Sequence, residues 1–170
     1  MGHVDTLVSV EEYLRTSYRP DCDYVDGELV DRNVGEKDHG DTQGRMFLNL
    51  CLRRAEWNIY AVLDARVQVW TTRYRVPDIC VFVRPEPQEQ IFTRPPFLCI
   101  EILSPEDRMS RMQQRIDDYL AFGVEYVWVV DPQTHRAWIY RREGMHEAAD
   151  GVLRTTNPDI EIPLADVFPE

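Results

Sequence analysis

Two short apolar stretches, each with a carboxylate set into it, limit most strongly what this chain can fold into. The first is Arg75-Val76-Pro77-Asp78 running into Ile79-Cys80-Val81-Phe82-Val83, and the second is Phe97-Leu98-Cys99-Ile100-Glu101-Ile102-Leu103. Both have the length, the β-branched and aromatic content and the flanking prolines of buried strands. The acid opens the first strand and stands near the end of the second. An antiparallel pairing of the two places Asp78 beside Glu101. Two acids held together among apolar residues repel each other unless one is protonated or a cation joins them. The pattern points to a divalent metal site. Each acid also has a plainer reading: Asp78 as the cap of the turn after Pro77, and Glu101 as one half of a buried ion pair with Arg75 or Arg115.

A chain of 170 residues has the size of a single domain, and residues 1–170 are read as one. No apolar run approaches the roughly 20 residues needed to cross a bilayer, and no signal peptide is expected at the start, so a cytoplasmic protein without a membrane partner is expected. Met1-Gly2-His3-Val4-Asp5-Thr6 fits the loose myristoylation pattern, too short a match to carry weight. The four cysteines, Cys22, Cys51, Cys80 and Cys99, are widely spread and form no CxxC pair, which suits core filling in a reducing compartment better than zinc. The formal charge of −11 opposes generic binding to nucleic acid unless the arginines cluster. Lys37 is the only lysine.

Along the chain, Ser9-Val10-Glu11-Glu12 reads as a capping box opening a helix to about Thr16. Asp26-Gly27, between alternating residues, marks a hairpin. An amphipathic helix is expected over Asp38–Trp57, and one long alternating strand over Ile59–Trp70. The Asp78 strand and the Glu101 strand follow. Ser104-Pro105-Glu106-Asp107 predicts an N-cap, a proline at the first helical position and acids in the first turn of a helix that runs to Phe122 and stops at Gly123. Tyr126–Val130 is a further buried strand, and a final hairpin is expected between Arg136–Tyr140 and about Val152–Arg154. The class is mixed α/β, a central sheet with a three-strand antiparallel meander flanked by helices and a C-terminal hairpin.

The order meander, helix, strand, with acids on the second and third meander strands, resembles the PD-(D/E)xK nuclease superfamily. More closely, the chain is similar to the Uma-two family of restriction-endonuclease-like proteins. The matching residues are Tyr24–Val30, His39, Arg75–Asp78, Glu101–Pro105, Asp118-Tyr119, Gly123-Val124 and Tyr126–Pro132, within roughly residues 9–142. The resemblance implies a restriction-endonuclease-like core and a metal-dependent endonuclease that cleaves DNA. Asp78, Glu101 and the backbone carbonyl of Ile102 would hold Mg²⁺ or Mn²⁺ through oxygen ligands. A homodimer is expected by analogy with nucleases that cut both strands as pairs.

One position departs from the pattern. Where the superfamily carries lysine two residues after the glutamate, this chain has Leu103, and the displaced lysine of the family matches Arg115. Arginine clamps a phosphate well but cannot act as a general base. Asp78, Glu101, Arg115 and Glu28 are the catalytic candidates, with Glu28 either a metal-side residue or a solvated one. His39, Arg75, Arg108 and Arg111 are the substrate-binding candidates. His39 reads equally as a solvated or capping residue at a helix start, and Arg108, Arg111 and Arg115, a stripe at 3- and 4-residue steps, equally as a solvated surface paired with Glu106, Asp107 or Asp118. The competing function is a catalytically inactive interaction protein on a nuclease fold. A glycoside hydrolase ranks last, since acids on adjacent strands stand too close for inverting geometry.

Overall fold

The computed structural model describes residues 7–33 and 35–169; the N-terminal myristoylation-like stretch lies outside them. Ser9 caps α1 (Val10–Arg15), its hydroxyl accepting from the Glu12 N–H at 3.1 Å, as the capping box predicts. Strands β1 (Cys22–Val25) and β2 (Glu28–Asp31) form the Asp-Gly hairpin, with Asp26 and Gly27 at φ 51° and 100°. Both left-handed residues fit a two-residue turn that matches strand twist. Helix α2 (Lys37–Leu52) buries Thr42, Met46 and Leu50 along one face, and ends five residues before the predicted Trp57, where a run of turns carries the chain on.

The single long strand expected over Ile59–Trp70 is two strands in two different sheets. β3 (Ile59–Leu63) stops at Asp64, which takes φ 47°, and β4 (Val67–Trp70) resumes beyond it, turning into β5 (Arg73–Arg75). Aspartate tolerates the left-handed region, so the break costs little there. The alternation runs unbroken through the corner, and periodicity alone cannot show it. The meander comprises β3, β6 (Ile79–Val83) and β7 (Leu98–Ile102), with the β4–β5 hairpin inserted.

Helix α3 is Met109–Phe122, ending at Gly123 with φ 114°. It begins four residues after the predicted Pro105 start. Asp107 explains the delay: its carboxylate accepts the Ser104 N–H at 2.7 Å while its own N–H donates to the Ser104 carbonyl at 3.0 Å. This closed local turn competes with the first helical turn. Strand β8 (Tyr126–Asp131) then runs parallel to β7, and β9 (Arg136–Arg141) is antiparallel to β8. The partner of β9 is β10 (Gly144–Glu147) and not residues 152–154. Those residues are β11 (Val152–Arg154), which pairs with β12 (Glu161–Pro163). A tight turn at Arg142-Glu143 returns the chain before residues 152–154 are reached.

The result is a six-stranded sheet, β10-β9-β8-β7-β6-β3, and a four-stranded sheet, β2-β1-β5-β4. Strand alternation sorts the six-stranded sheet's side chains onto two faces. Ile79, Val81, Ile100, Ile102, Trp128 and Val130 pack with Met46 and Leu50 of α2. Cys80, Phe82, Cys99, Val127 and Val129 pack with Met112, Ile116 and Tyr119 of α3. Asp78 and Glu101 share the period of the second set; Glu101 meets Tyr119 and Arg115 of α3, while Asp78, just before β6, meets His39 of α2. No helix among the described residues is long and apolar enough to cross a membrane.

Candidate functional site

The β6–β7 register pairs Ile79 with Ile100 and Cys80 with Cys99, so one step further sets Asp78 opposite Glu101. Both are buried, at 3% and 0% exposure. One oxygen of Asp78, Oδ2, accepts the Ile102 N–H at 2.7 Å and lies 3.4 Å from His39 Nε2. The other, Oδ1, is bonded by Arg32, whose second nitrogen reaches Asp64 at 3.2 Å. Burial alone would push the Asp78 carboxyl up, but the His39 hydrogen bond and the Arg32 charge outweigh it and hold it below its ordinary value. The same contact raises His39 against its burial.

Glu101 is in the opposite state. Its Oε1 accepts from the Tyr119 hydroxyl at 2.6 Å, and its Oε2 stands 3.1 Å from Arg115 Nη1. That last contact is an ion pair without hydrogen-bond alignment: Glu101 Oε2 and Arg115 Nε have no hydrogen-bond partner among the described residues. Burial lifts Glu101 to about 7, with Arg115 pulling it down and Asp78 pushing it up. Two neighbouring carboxylates driven apart in acidity are what paired acids around one charge-binding centre show. The pattern also accompanies structural ion networks, so geometry has to decide.

The geometry gives a cleft of about 440 Å³ lined by Arg32, His39, Gln43, Asp64, Asp78, Ile102, Ser104, Asp107 and Arg115. Elements distant in the chain place these groups: the end of β2 supplies Arg32, α2 supplies His39 and Gln43, the β3 corner supplies Asp64, and α3 supplies Arg115. Of the sequence candidates, Asp78, Ile102, Arg115 and His39 line this cleft, and Glu101, fully buried, lies behind it against Arg115. Glu28, Arg75, Arg108 and Arg111 instead border an adjoining hollow of about 240 Å³, to which Arg32 and Arg115 also contribute. Arg75 is buried and held by Asp23 at 3.0 Å and by Asp118 at 2.6 Å, so its guanidinium serves the interior. Glu28, Arg108 and Arg111 are exposed. Lys37, at the start of α2, is exposed and stands 3.9 Å from Asp41.

Arg32, Asp64, Gln43 and Asp23 escaped the sequence reading. Arg32 follows a hairpin at a spot with no periodicity to flag it. Asp23 carried a signal, an acid inside the strand Cys22-Asp23-Tyr24. It accepts the Val76 N–H at 2.9 Å and lies 3.3 Å from Arg115 Nε, fixing the arginine that faces Glu101.

The donor set suits a hard cation. Mg²⁺ commonly takes one or two carboxylates, with water and substrate phosphate completing its shell. Two carboxylates side by side, one with an orphaned buried oxygen, meet that description, although among the described residues no three His, Cys, Asp or Glu side chains gather as a ready-made ligand cluster. Each carboxylate already carries an arginine, Arg32 on Asp78 Oδ1 and Arg115 at 3.1 Å from Glu101 Oε2.

No curated protein matches the chain. Among solved structures, a protein from Anabaena variabilis described as a "putative nuclease" is 21% identical, with a TM-score of 0.80 over 95% of this chain and 97% of that one. At that identity the likeness establishes the fold, a restriction-endonuclease-like one. The family Uma2, described as "Putative restriction endonuclease", matches residues 10–169. The resemblance carried by the Asp78, Glu101 and Tyr126–Pro132 motifs thus extends over nearly the whole length, and the chain belongs to the Uma2 (Uma-two) family.

Proposed function

We propose that this protein is a metal-dependent endonuclease hydrolysing phosphodiester bonds of DNA. The observation that carries the reading is the meeting of Asp78, Ile102, His39 and Arg115 at one solvent-reachable cleft, with Glu101 buried directly behind it against Arg115, in a family described as "Putative restriction endonuclease". Asp78, Glu101 and the Ile102 carbonyl would hold Mg²⁺ or Mn²⁺, which when bound lowers the pKa of a water and offsets charge on the phosphoryl oxygens. Tyr119 orients Glu101 through its hydroxyl, and the Ile102 N–H and His39 orient Asp78. Arg115, kept charged by Asp23 and Glu101 against burial, is a phosphate clamp and not a base. Arg108 and Arg111 border the neighbouring hollow, where the acids Glu28, Asp31, Glu106 and Asp107 stand beside them, and would meet the DNA backbone there. In this reading a homodimer cuts both strands, and the free cysteines accord with a reducing cytoplasm.

A specific observation favours a second reading. Arg32 and Arg115 already neutralise both acids, and Leu103 stands where the superfamily's lysine belongs, so an inactive relative with an interaction role also fits. Nicking of supercoiled plasmid in Mg²⁺ or Mn²⁺ separates the two. The endonuclease reading expects relaxed circles from wild type and none from Glu101→Ala. Metal binding without any nicking by wild type supports the second.

A further inference from the structure

We infer that Arg32 is a tethered counter-ion of Asp78, which a divalent cation must displace before it can occupy the site. The inference rests on the metal-dependent reading above and assigns a role in it to a residue outside the motif. Arg32 is 15% exposed and spans two carboxylates, Asp78 on its inner side and the half-exposed Asp64 on its outer side. Asp78 Oδ2 is already taken by the Ile102 N–H and by His39, so Oδ1 is the oxygen left for an incoming ion, and Arg32 sits on it.

The charges explain why the arginine is there. Two buried acids facing each other cannot remain ionised without cations, and burying a carboxylate unpaired is costly. Arg32 and Arg115 supply the two charges from within the chain. They are not equivalent. Arg115 is anchored to Asp23 and to the Val76 carbonyl as well as Glu101, three contacts from the protein interior. Arg32 has the cleft on one side, the adjoining hollow on the other, and a second carboxylate within reach at Asp64. It can leave Asp78 without losing its only partner. Ion entry and Arg32 release are therefore one exchange, and the released guanidinium faces the space where a substrate phosphate would lie. A planar fork suits that phosphate bidentately. Ion occupancy and phosphate affinity are coupled through this residue, and such coupling is reciprocal.

The test is calorimetric titration of Mn²⁺ into wild type, Arg32→Gln and, as a remote control for net charge, Arg136→Gln. The expected result is Mn²⁺ affinity on the order of tenfold tighter in Arg32→Gln, a typical coupling factor, with Arg136→Gln unchanged. Equal or weaker affinity in Arg32→Gln overturns the inference while leaving the metal reading intact, as does equal tightening in Arg136→Gln. Binding in neither wild type nor Arg32→Gln defeats the metal reading itself. A second measurement needs no loss of the side chain. The guanidinium NMR signal of Arg32, assigned with Arg32→Lys, should shift on Mg²⁺ addition to wild type while that of Arg75 stays in place. An unmoved Arg32 signal at saturating Mg²⁺ overturns the displacement.

Discussion

Two knots of buried charge lie close together in this molecule and differ in kind. In one, Arg75 is gripped by Asp23 and Asp118 through three hydrogen bonds of 2.6–3.0 Å, Asp23 also accepts the Val76 N–H at 2.9 Å, and the principal groups are satisfied from within. In the other, Asp78 and Glu101 face each other across two strands, one arginine contact is misaligned, and an oxygen of Glu101 has no hydrogen bond among the described residues. The first joins β1 and β5 of the four-stranded sheet to α3. Asp78 of the second lines the cleft, with Glu101 buried behind it, whereas Arg75 and Asp23 of the first border the adjoining hollow. Burial and charge are common to both, so neither marks function alone. Incomplete satisfaction separates them, since a closed network needs nothing further and an unmet oxygen has a bond left to accept.

The sharpest way to break the contrast is to make matched changes in the two knots. Asp78→Asn is expected to lower plasmid nicking on the order of a thousandfold, the scale of losing a preorganised electrostatic contact, with the protein still folded. Asp23→Asn removes the partner of two buried arginines and should cost about 3–5 kcal/mol in denaturant unfolding. Equal losses of stability in both variants would erase the distinction. Tyr119→Phe takes the donor from Glu101 Oε1 and should cost about 1–3 kcal/mol by the same assay, the desolvation cost of a buried acceptor left unmet.

A smaller effect follows from pH. In metal-free protein, Glu101 is pushed up to about 7 from an ordinary 4.5, so between those values the folded state binds more protons than the unfolded chain. Stability then falls as pH rises through that window. Asp78 acts oppositely: its stabilisation is present at higher pH and is lost only on acidification through its lowered value. Glu101→Gln should flatten the decline seen by thermal unfolding in EDTA between pH 4.5 and 7, and an unchanged slope would show that Glu101 is ionised throughout. The smallest expected change is at the rim. Arg108→Ala should weaken DNA binding uniformly and reduce the logarithmic salt slope by about 1.

The same contrast explains what could be read from residues alone. Asp78 and Glu101 were legible because an acid inside an apolar strand violates the pattern around it, and because period-2 alternation sends both to one face. The stop of α3 at Gly123 and the turn at Asp26-Gly27 were legible from local backbone preference. The start of α3 was not, because the side chain of Asp107 folds the preceding residues into a turn that competes with the proline signal. Asp64 hid the division of one alternating run into two strands. Arg32 was the hardest to see. It reaches Asp78 across 46 positions in sequence, and only the assembled fold brings the end of a hairpin to the mouth of the cleft.

In the proposed reading Asp78, just before β6, and Glu101 of β7 form a seat for a divalent cation. Titration of Mn²⁺ into wild type and Asp78→Ala, followed by electron paramagnetic resonance of the free ion, tests it without reference to turnover. The expected result is one saturable site per chain in wild type, absent from a folded Asp78→Ala. Binding that persists undiminished in Asp78→Ala, or no saturable site in wild type or in Arg32→Gln, contradicts it.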